Sequence, residues 1–167
     1  MLGFLFRGLT TEPARGEALF DAATAEARRH SWYVDGAVPD SLDGRFAVLA
    51  TIMALALVRL EREGERGHAA SVALTERFIE VMESEHRELG LGDPTLGKTV
   101  RKLVGMLATR TELWRGAGAE WTQATRDSLY KGHIADPPLQ HSVRALREFA
   151  RRLDWTPLGD LEQGKIA

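Results

Sequence analysis

The chain has 167 residues, enough for one domain with its own core and short for two. Apolar residues are 44% and charged residues 28%, and 22 Lys plus Arg against 24 Asp plus Glu leave a formal charge of −2. That balance excludes a global electrostatic pull toward nucleic acid, and the absence of cysteine excludes disulfides and thiolate metal sites.

Residues 1–10 carry an apolar cluster, Leu2, Phe4, Leu5 and Phe6, ending at Arg7. The basic start, longer apolar stretch and small-residue cleavage site of a signal peptide are missing. Two readings stay open: a segment packed on the core, or an interfacial anchor that alone would hold a membrane only reversibly. Residues 11–155 read as an all-α domain of about six helices with short loops, because apolar spacing is helical almost throughout and no stretch alternates with period two. The first helix is expected over 12–30, with Leu19, Phe20, Ala23 and Ala27 inward and Thr10 or Thr11 as cap. Trp32-Tyr33 follows in a loop, either as a plug over the bundle's end or as an exposed aromatic pair.

Leu42, Phe46, Leu49, Met53, Ala56 and Leu60 trace one helix face, and Val48, Ile52 and Leu55 broaden it. This helix reads as central, with Asp40 or Ser41 as cap. Its uncharged run, Phe46 to Val58, falls short of the about 20 residues that a bilayer span needs. EREGERG is expected as a turn, and residues 68–89 as a helix stopped by Gly90 and Gly92. Asp93-Pro94 and Asp136-Pro137 each read as an N-cap followed by proline at the first helical position. Between them lie a helix through Leu96, Val100, Leu103, Leu107 and Trp114, and a shorter one over about 119–131, with Trp114 and Trp121 in the core. The last helix carries Leu139, Val143, Leu146, Phe149 and Leu153 inward. Residues 156–167 are expected to be an irregular tail docked through Trp155 and Leu158.

GDPTLGKT, residues 92–99, fits the phosphate-loop pattern G-x-x-x-x-G-K-[ST]. The context does not. Such a loop needs a buried strand before it, and here an amphipathic helix precedes it. Pro94 also removes one backbone N–H from the cradle. No nucleotide is expected, and the stretch reads as a helix–turn–helix corner. Lys98, Arg101, Lys102 and Arg110 give the following helix a basic face that the corner does not require, since a cation in a first turn opposes the macrodipole. The five histidines show no metal-ligand spacing, and no nucleophile–base or paired-carboxylate arrangement points to catalysis.

Three stretches carry a family resemblance. WYVDGAVPDSLDGRFAVL (32–49) is similar to an aromatic pair, a Gly-Val-Pro-Asp turn and a Gly-Arg-Phe helix; HRELGLGDPTLGKTVRKL (86–103) is similar to an Arg-Glu-Leu-Gly-x-Gly-Asp…Gly-Lys corner; RDSLYKGH (126–133) is similar to a Leu-Tyr-x-Gly segment. Together they resemble the ubiquinol–cytochrome c chaperone family, assembly factors of the cytochrome bc1 complex. The resemblance implies an all-α, cofactor-free, non-catalytic protein. Its client would be newly made cytochrome b or another membrane protein, with a small partner assembly protein and peripheral contact with anionic membrane. With no cysteine the cytoplasm is the default location, to which the resemblance adds the cytoplasmic face of the inner membrane; the charge balance and the phosphate-loop context leave no nucleic acid or nucleotide expected as ligand. The candidate partner-binding residues are Trp32, Tyr33, Arg45, Phe46, Asp93, Gly97, Lys98, Arg101, Lys102 and Arg110. The chain departs from the pattern at Ala47 and Ile52, where Asp and His are usual, and at Leu107-Ala108-Thr109-Arg110, where Phe-Tyr-Gly-Arg is usual. A generic helical interaction module that has lost this client is the alternative.

Overall fold

The helix with apolar residues on all sides becomes the axis of the molecule. In the computed structural model, which describes residues 16–167, α3 (Leu42–Leu60) contacts α1 (Glu17–Ala27), α4 (Gly64–Glu88), α5 (Asp93–Arg115), α6 (Trp121–Leu129) and α7 (Asp136–Trp155). Val48, Ala50, Ile52, Met53, Ala54 and Leu60 are fully enclosed. The alanines let neighbouring helices approach while the larger side chains fill the gaps between them. Two short helices, α2 (Ser31–Val34) and α8 (Leu158–Glu162), complete the described chain, which contains no strand.

The long α4 carries the chain back along α3, so α5 starts again at the same end as α3 and runs parallel to it. Two contacts fix this direction. Lys102, in the first half of α5, acts on Asp43 at the start of α3, and Arg115 at the end of α5 pairs with Glu61 just past the end of α3. α7 is parallel to α3 as well. Tyr130 joins Gly36 to Ser142 at one end, and at the other Arg59 donates to the carbonyls of Leu153 and Thr156. The N-termini of α3, α5 and α7 therefore gather at one end of the bundle.

Several local expectations shift. The first described helix spans 17–27 and ends short of the expected residue 30, while the expected start at residue 12 lies outside the described residues. It is entered at Gly16 with φ 83°, where a Cβ would lie 2.5 Å from the Ala73 carbonyl oxygen. Thr10, Thr11 and the apolar segment of residues 1–10 lie outside the described residues. The EREGERG turn contracts to a 3-10 turn over Glu61–Glu63, and α4 begins at Gly64. Ser41, not Asp40, caps α3, its hydroxyl accepting from the Gly44 amide at 3.1 Å. Asp93 and Asp136 are first helical residues, with Gly92 and Ala135 in the cap positions. Their carboxylates therefore meet the helix dipole without capping it. The tail is not irregular throughout. α8 buries Leu158 and Leu161, whereas Trp155, expected to dock it, is 76% exposed. Trp155 sits on the face of α7 opposite Leu146, Phe149 and Leu153, so helical geometry turns it outward.

Candidate protein-interaction surface

The first and third resembling stretches meet at the start of α3. The Tyr130 hydroxyl donates to the Gly36 carbonyl at 2.6 Å, and because its one proton is committed there, the Ser142 hydroxyl donates to Tyr130 at 2.7 Å. Gly36 is required by packing: a Cβ there would lie 2.6 Å from the Trp32 carbonyl oxygen and 2.7 Å from Ser142 Oγ. Gly44 is tighter still, with Pro39 O only 1.8 Å from a built Cβ. The Gly-x-Val-Pro turn, the Gly-Arg-Phe start and the Leu-Tyr-Lys-Gly segment are thus one interlocked corner. Burial raises the pKa of Tyr130, opposed by the bond from Ser142.

Around this corner lies a charged rim. Arg45 Nε donates to Asp40 Oδ1 at 2.6 Å, which holds Asp40 below and Arg45 above their ordinary values. Lys131 Nζ reaches Asp43 Oδ2 at 2.7 Å, and that bond, with a further pull from Lys102, lowers the pKa of Asp43. Leu42 and Val34 are large apolar side chains left mostly exposed on the same rim.

The basic face of α5 continues from it. Lys98, Arg101 and Lys102 are exposed, and none is within ion-pair distance of a carboxylate among the described residues. Two glycines share this face. A Cβ on Gly105 would meet nothing within 4 Å, and one on Gly97 would meet only the flexible Arg101 guanidinium, at 3.5 Å. A glycine inside a helix costs about 0.5–1 kcal/mol relative to alanine. Neither glycine is repaid by packing among the described residues. At the α4–α5 corner, Gly90 with φ 85° and the bonds Gly90 N→Arg87 O and Leu91 N→His86 O form a Schellman stop, leaving Leu89 67% exposed. A helix enters GDPTLGKT where a phosphate loop requires a strand.

The remaining predicted residues separate by burial. Trp32 is enclosed, its indole donating to the Glu26 carbonyl at 2.9 Å, so it is a plug and not a surface residue. Tyr33 is half-buried and donates to the Ala27 carbonyl at 2.8 Å; burial raises its pKa, with Arg45 opposing. Phe46 is half-buried against Phe78, ring centroids 6.2 Å apart. Asp93 is exposed at the start of α5. Arg110 leaves the basic face: it donates to the Ser128 carbonyl at 2.9 Å and the Met106 carbonyl at 3.3 Å, bracing α5 against the end of α6, and burial lowers its pKa. Asp43, Lys131 and Gly105 were not singled out by the sequence. Lys131 had a signal in the Tyr130-Lys131-Gly132 stretch, and Gly105 had one as a mid-helix glycine.

A hollow of about 260 Å³ lined by Leu57, Glu61, Gly64, His68, Ser71 and Thr111 lies at the other end of α3. Among the described residues, no three His, Asp or Glu side chains converge as metal ligands, and no helix is long and apolar enough to cross a membrane. The candidate site is therefore a helix surface with a charged rim on an all-α scaffold. The ubiquinol–cytochrome C chaperone model matches residues 34–165, and the chain belongs to that family. The crystal structure of the Cbp3 homolog from Brucella abortus is similar in fold, with a TM-score of 0.72 at 24% identity, covering 100% of this chain and 96% of that one. No curated protein matches.

Proposed function

We propose that this protein is a non-catalytic assembly chaperone that binds newly made cytochrome b and supports assembly of the ubiquinol–cytochrome c reductase complex, with the outer face of α5 as its client surface. The family supports the chaperone role. The observation that carries the surface is the pairing of two glycines, the half-buried Gly97 and the exposed Gly105, with the cations Lys98, Arg101 and Lys102, which are unpaired among the described residues. Small residues let a second helix backbone come close, as they do between helices in membranes. The cations then meet acidic groups flanking the client helix. Such contacts are shallow and salt-sensitive, which suits a chaperone that must release its client once assembly gives that segment a better partner.

The test is a Lys98→Glu, Arg101→Glu, Lys102→Glu variant in cells, with a photoreactive residue at Gly97 or Thr109 on the same face. Retained folding, lost crosslinks to cytochrome b and a lowered level of assembled complex are the expected outcome. Unchanged crosslinks and complex would remove the α5 face from the proposal. The second reading, a helical module that has lost this client, is favoured by Ala108, which leaves the exposed face without the aromatic ring usual there. Crosslinks only to other proteins, with the complex at normal level after gene deletion, would decide for it.

A further inference from the structure

α4 and α5 form an antiparallel pair joined by the turn at Gly90, and the charges on their outer sides are in register. Counting outward from Glu88 and Asp93, which flank the turn, equal steps of about 1.5 Å per residue reach equal heights on the two helices. Five steps out are Glu83 and Lys98, eight out Glu80 and Arg101, twelve out Glu76 and Gly105, and sixteen out Val72 and Thr109. The hollow that Thr111, eighteen steps out, shares with His68 and Ser71 agrees with this register. At about 100° per residue, each set of four falls within an arc of about 80°. These arcs are turned away from the buried Leu74 and Phe78 on α4 and the buried Val100 and Leu107 on α5. At two heights, then, an acid on α4 stands level with a cation on α5. Yet Glu76, Glu83, Lys98 and Arg101 have no ion-pair partner among the described residues, and Glu80 reaches Arg77 only at 3.4 Å. Val72, on the same face, is 42% exposed.

We propose that this face docks on the same face of a second copy of the chain. A two-fold axis lying in the face, along the groove between α4 and α5, sets α4 of each copy over α5 of the other and leaves every height unchanged. Glu83 of one copy then meets Lys98 of the other, and Glu80 meets Arg101, twice each across the axis. Glu76 comes over Gly105, where the missing side chain leaves room, and Val72 comes over Ala108 and Thr109. The other charges of the face do not oppose this. Arg87 falls over the Asp93-Pro94 start of α5, Glu112 lies level with Ala69 and is held by Arg115, and Lys102 is turned toward Asp43. Complementarity of the face with itself carries the choice of occupant, because a foreign partner requires no match in height between two helices of this chain. The area is sufficient. Two helices side by side over about 30 Å offer roughly 600 Å² per copy, or about 1,200 Å² in all, the lower end of the range for specific interfaces. A contact this charged is weak and falls with salt. It also covers Arg101 and Gly105, so the dimer withholds the α5 face until a client displaces the second copy. That consequence rests on the client reading, whereas the self-association rests on the register alone.

The experiment is sedimentation velocity of the purified full chain over a concentration series at low and high salt, with circular dichroism of each variant as the check on folding. The wild type is expected to pass from monomer to dimer as concentration rises and to return to monomer in high salt. K98E/R101E and E80K/E83K are each expected to weaken self-association about 30-fold, the equivalent of roughly 2 kcal/mol for four exposed ion pairs. Mixing the two variants is expected to restore a mixed dimer, because every contact across the axis is then again between opposite charges. A wild type that stays monomeric at every concentration overturns the proposal, as does the absence of a mixed dimer from two folded variants. So does a dimer that neither variant weakens, since it must use another face. The two readings fail separately. A monomeric wild type with cytochrome b crosslinks intact removes the dimer and leaves the client reading, and a charge-swapped dimer without those crosslinks removes the client reading and leaves the dimer.

Discussion

Replacing Gly105 with alanine should make the protein more stable and less functional at once. The added methyl group meets nothing within 4 Å among the described residues, so there is no clash there to offset the gain in helix propensity. That gain is about 0.5–1 kcal/mol, which for a chain of this size raises Tm by about 1–4 °C. Thermal melting and urea unfolding of the purified variant measure it. Crosslinking to cytochrome b and the level of assembled bc1 complex measure the other half, and Gly105→Gln extends the series by adding bulk without losing propensity. Capture should fall from Gly to Ala to Gln while stability stays at or above wild type. Capture unchanged through Gln would refute close backbone approach at α5, and a destabilised alanine variant would refute the open space on which the reasoning rests. Gly44→Ala is the internal contrast, because the same methyl group there would sit 1.8 Å from the Pro39 carbonyl oxygen and must unfold or shift the corner.

Tyr130→Phe removes the group that satisfies Gly36 O and Ser142 Oγ, and should cost about 1–3 kcal/mol in urea unfolding. Burial raises the pKa of Tyr130 and Tyr33 in the folded state, so their stabilisation is complete below the ordinary tyrosine value of about 10 and is lost as pH rises through the folded values. Unfolding free energy measured from pH 9 upward should therefore fall less steeply in Tyr130→Phe than in wild type. Arg59→Leu leaves the carbonyls of Leu153 and Thr156 and the Glu63 carboxylate without their donor, and should cost about 3 kcal/mol and speed hydrogen exchange in the tail. Arg110→Ala should cost about 1–2 kcal/mol, with client capture falling only as far as stability does; wild-type melting with lost capture would return Arg110 to the contact surface.

The helices were legible because each buries one stripe, and α3 stood out because it buries nearly every side. The Schellman corner was legible for a similar reason: only glycine meets the left-handed turn at Gly90 cheaply. What could not be read were the consequences of distance. Lys131 and Asp43 are neighbours only because α6 and α3 pack together, and Arg110 reads as one more cation until the carbonyl of Ser128 is placed beside it. Trp155 failed differently. Its apolar ring argued for docking, but its register on α7, opposite Phe149 and Leu153, argued for solvent, and the register decided. The Asp-Pro starts were misplaced by one residue because proline at the second helical position suits the helix as well as proline at the first.

The departures from the family pattern can be sorted by the direction in which each side chain points. Ala47 and Ile52 lie on α3 among fully or nearly buried residues, so an acid or imidazole in their place would stand in the core. These two changes concern how α3 packs. Ala108 is exposed on α5, one helical turn from Gly105 and on the face that carries Arg101. It and its exposed neighbour Thr109 are the departures that a client could touch. Ala108→Tyr should therefore leave stability within about 0.5 kcal/mol, as exposed substitutions do, while changing what the α5 face captures. Urea unfolding and crosslinking from the same preparation read the two quantities together. A variant with wild-type stability and a different yield of cytochrome b crosslinks would place client selection at this turn of α5. Equal stability with equal yield would mean that Ala108 lies outside the footprint, and the footprint would then have to end between Gly97 and Gly105, nearer the Lys131–Asp43 rim.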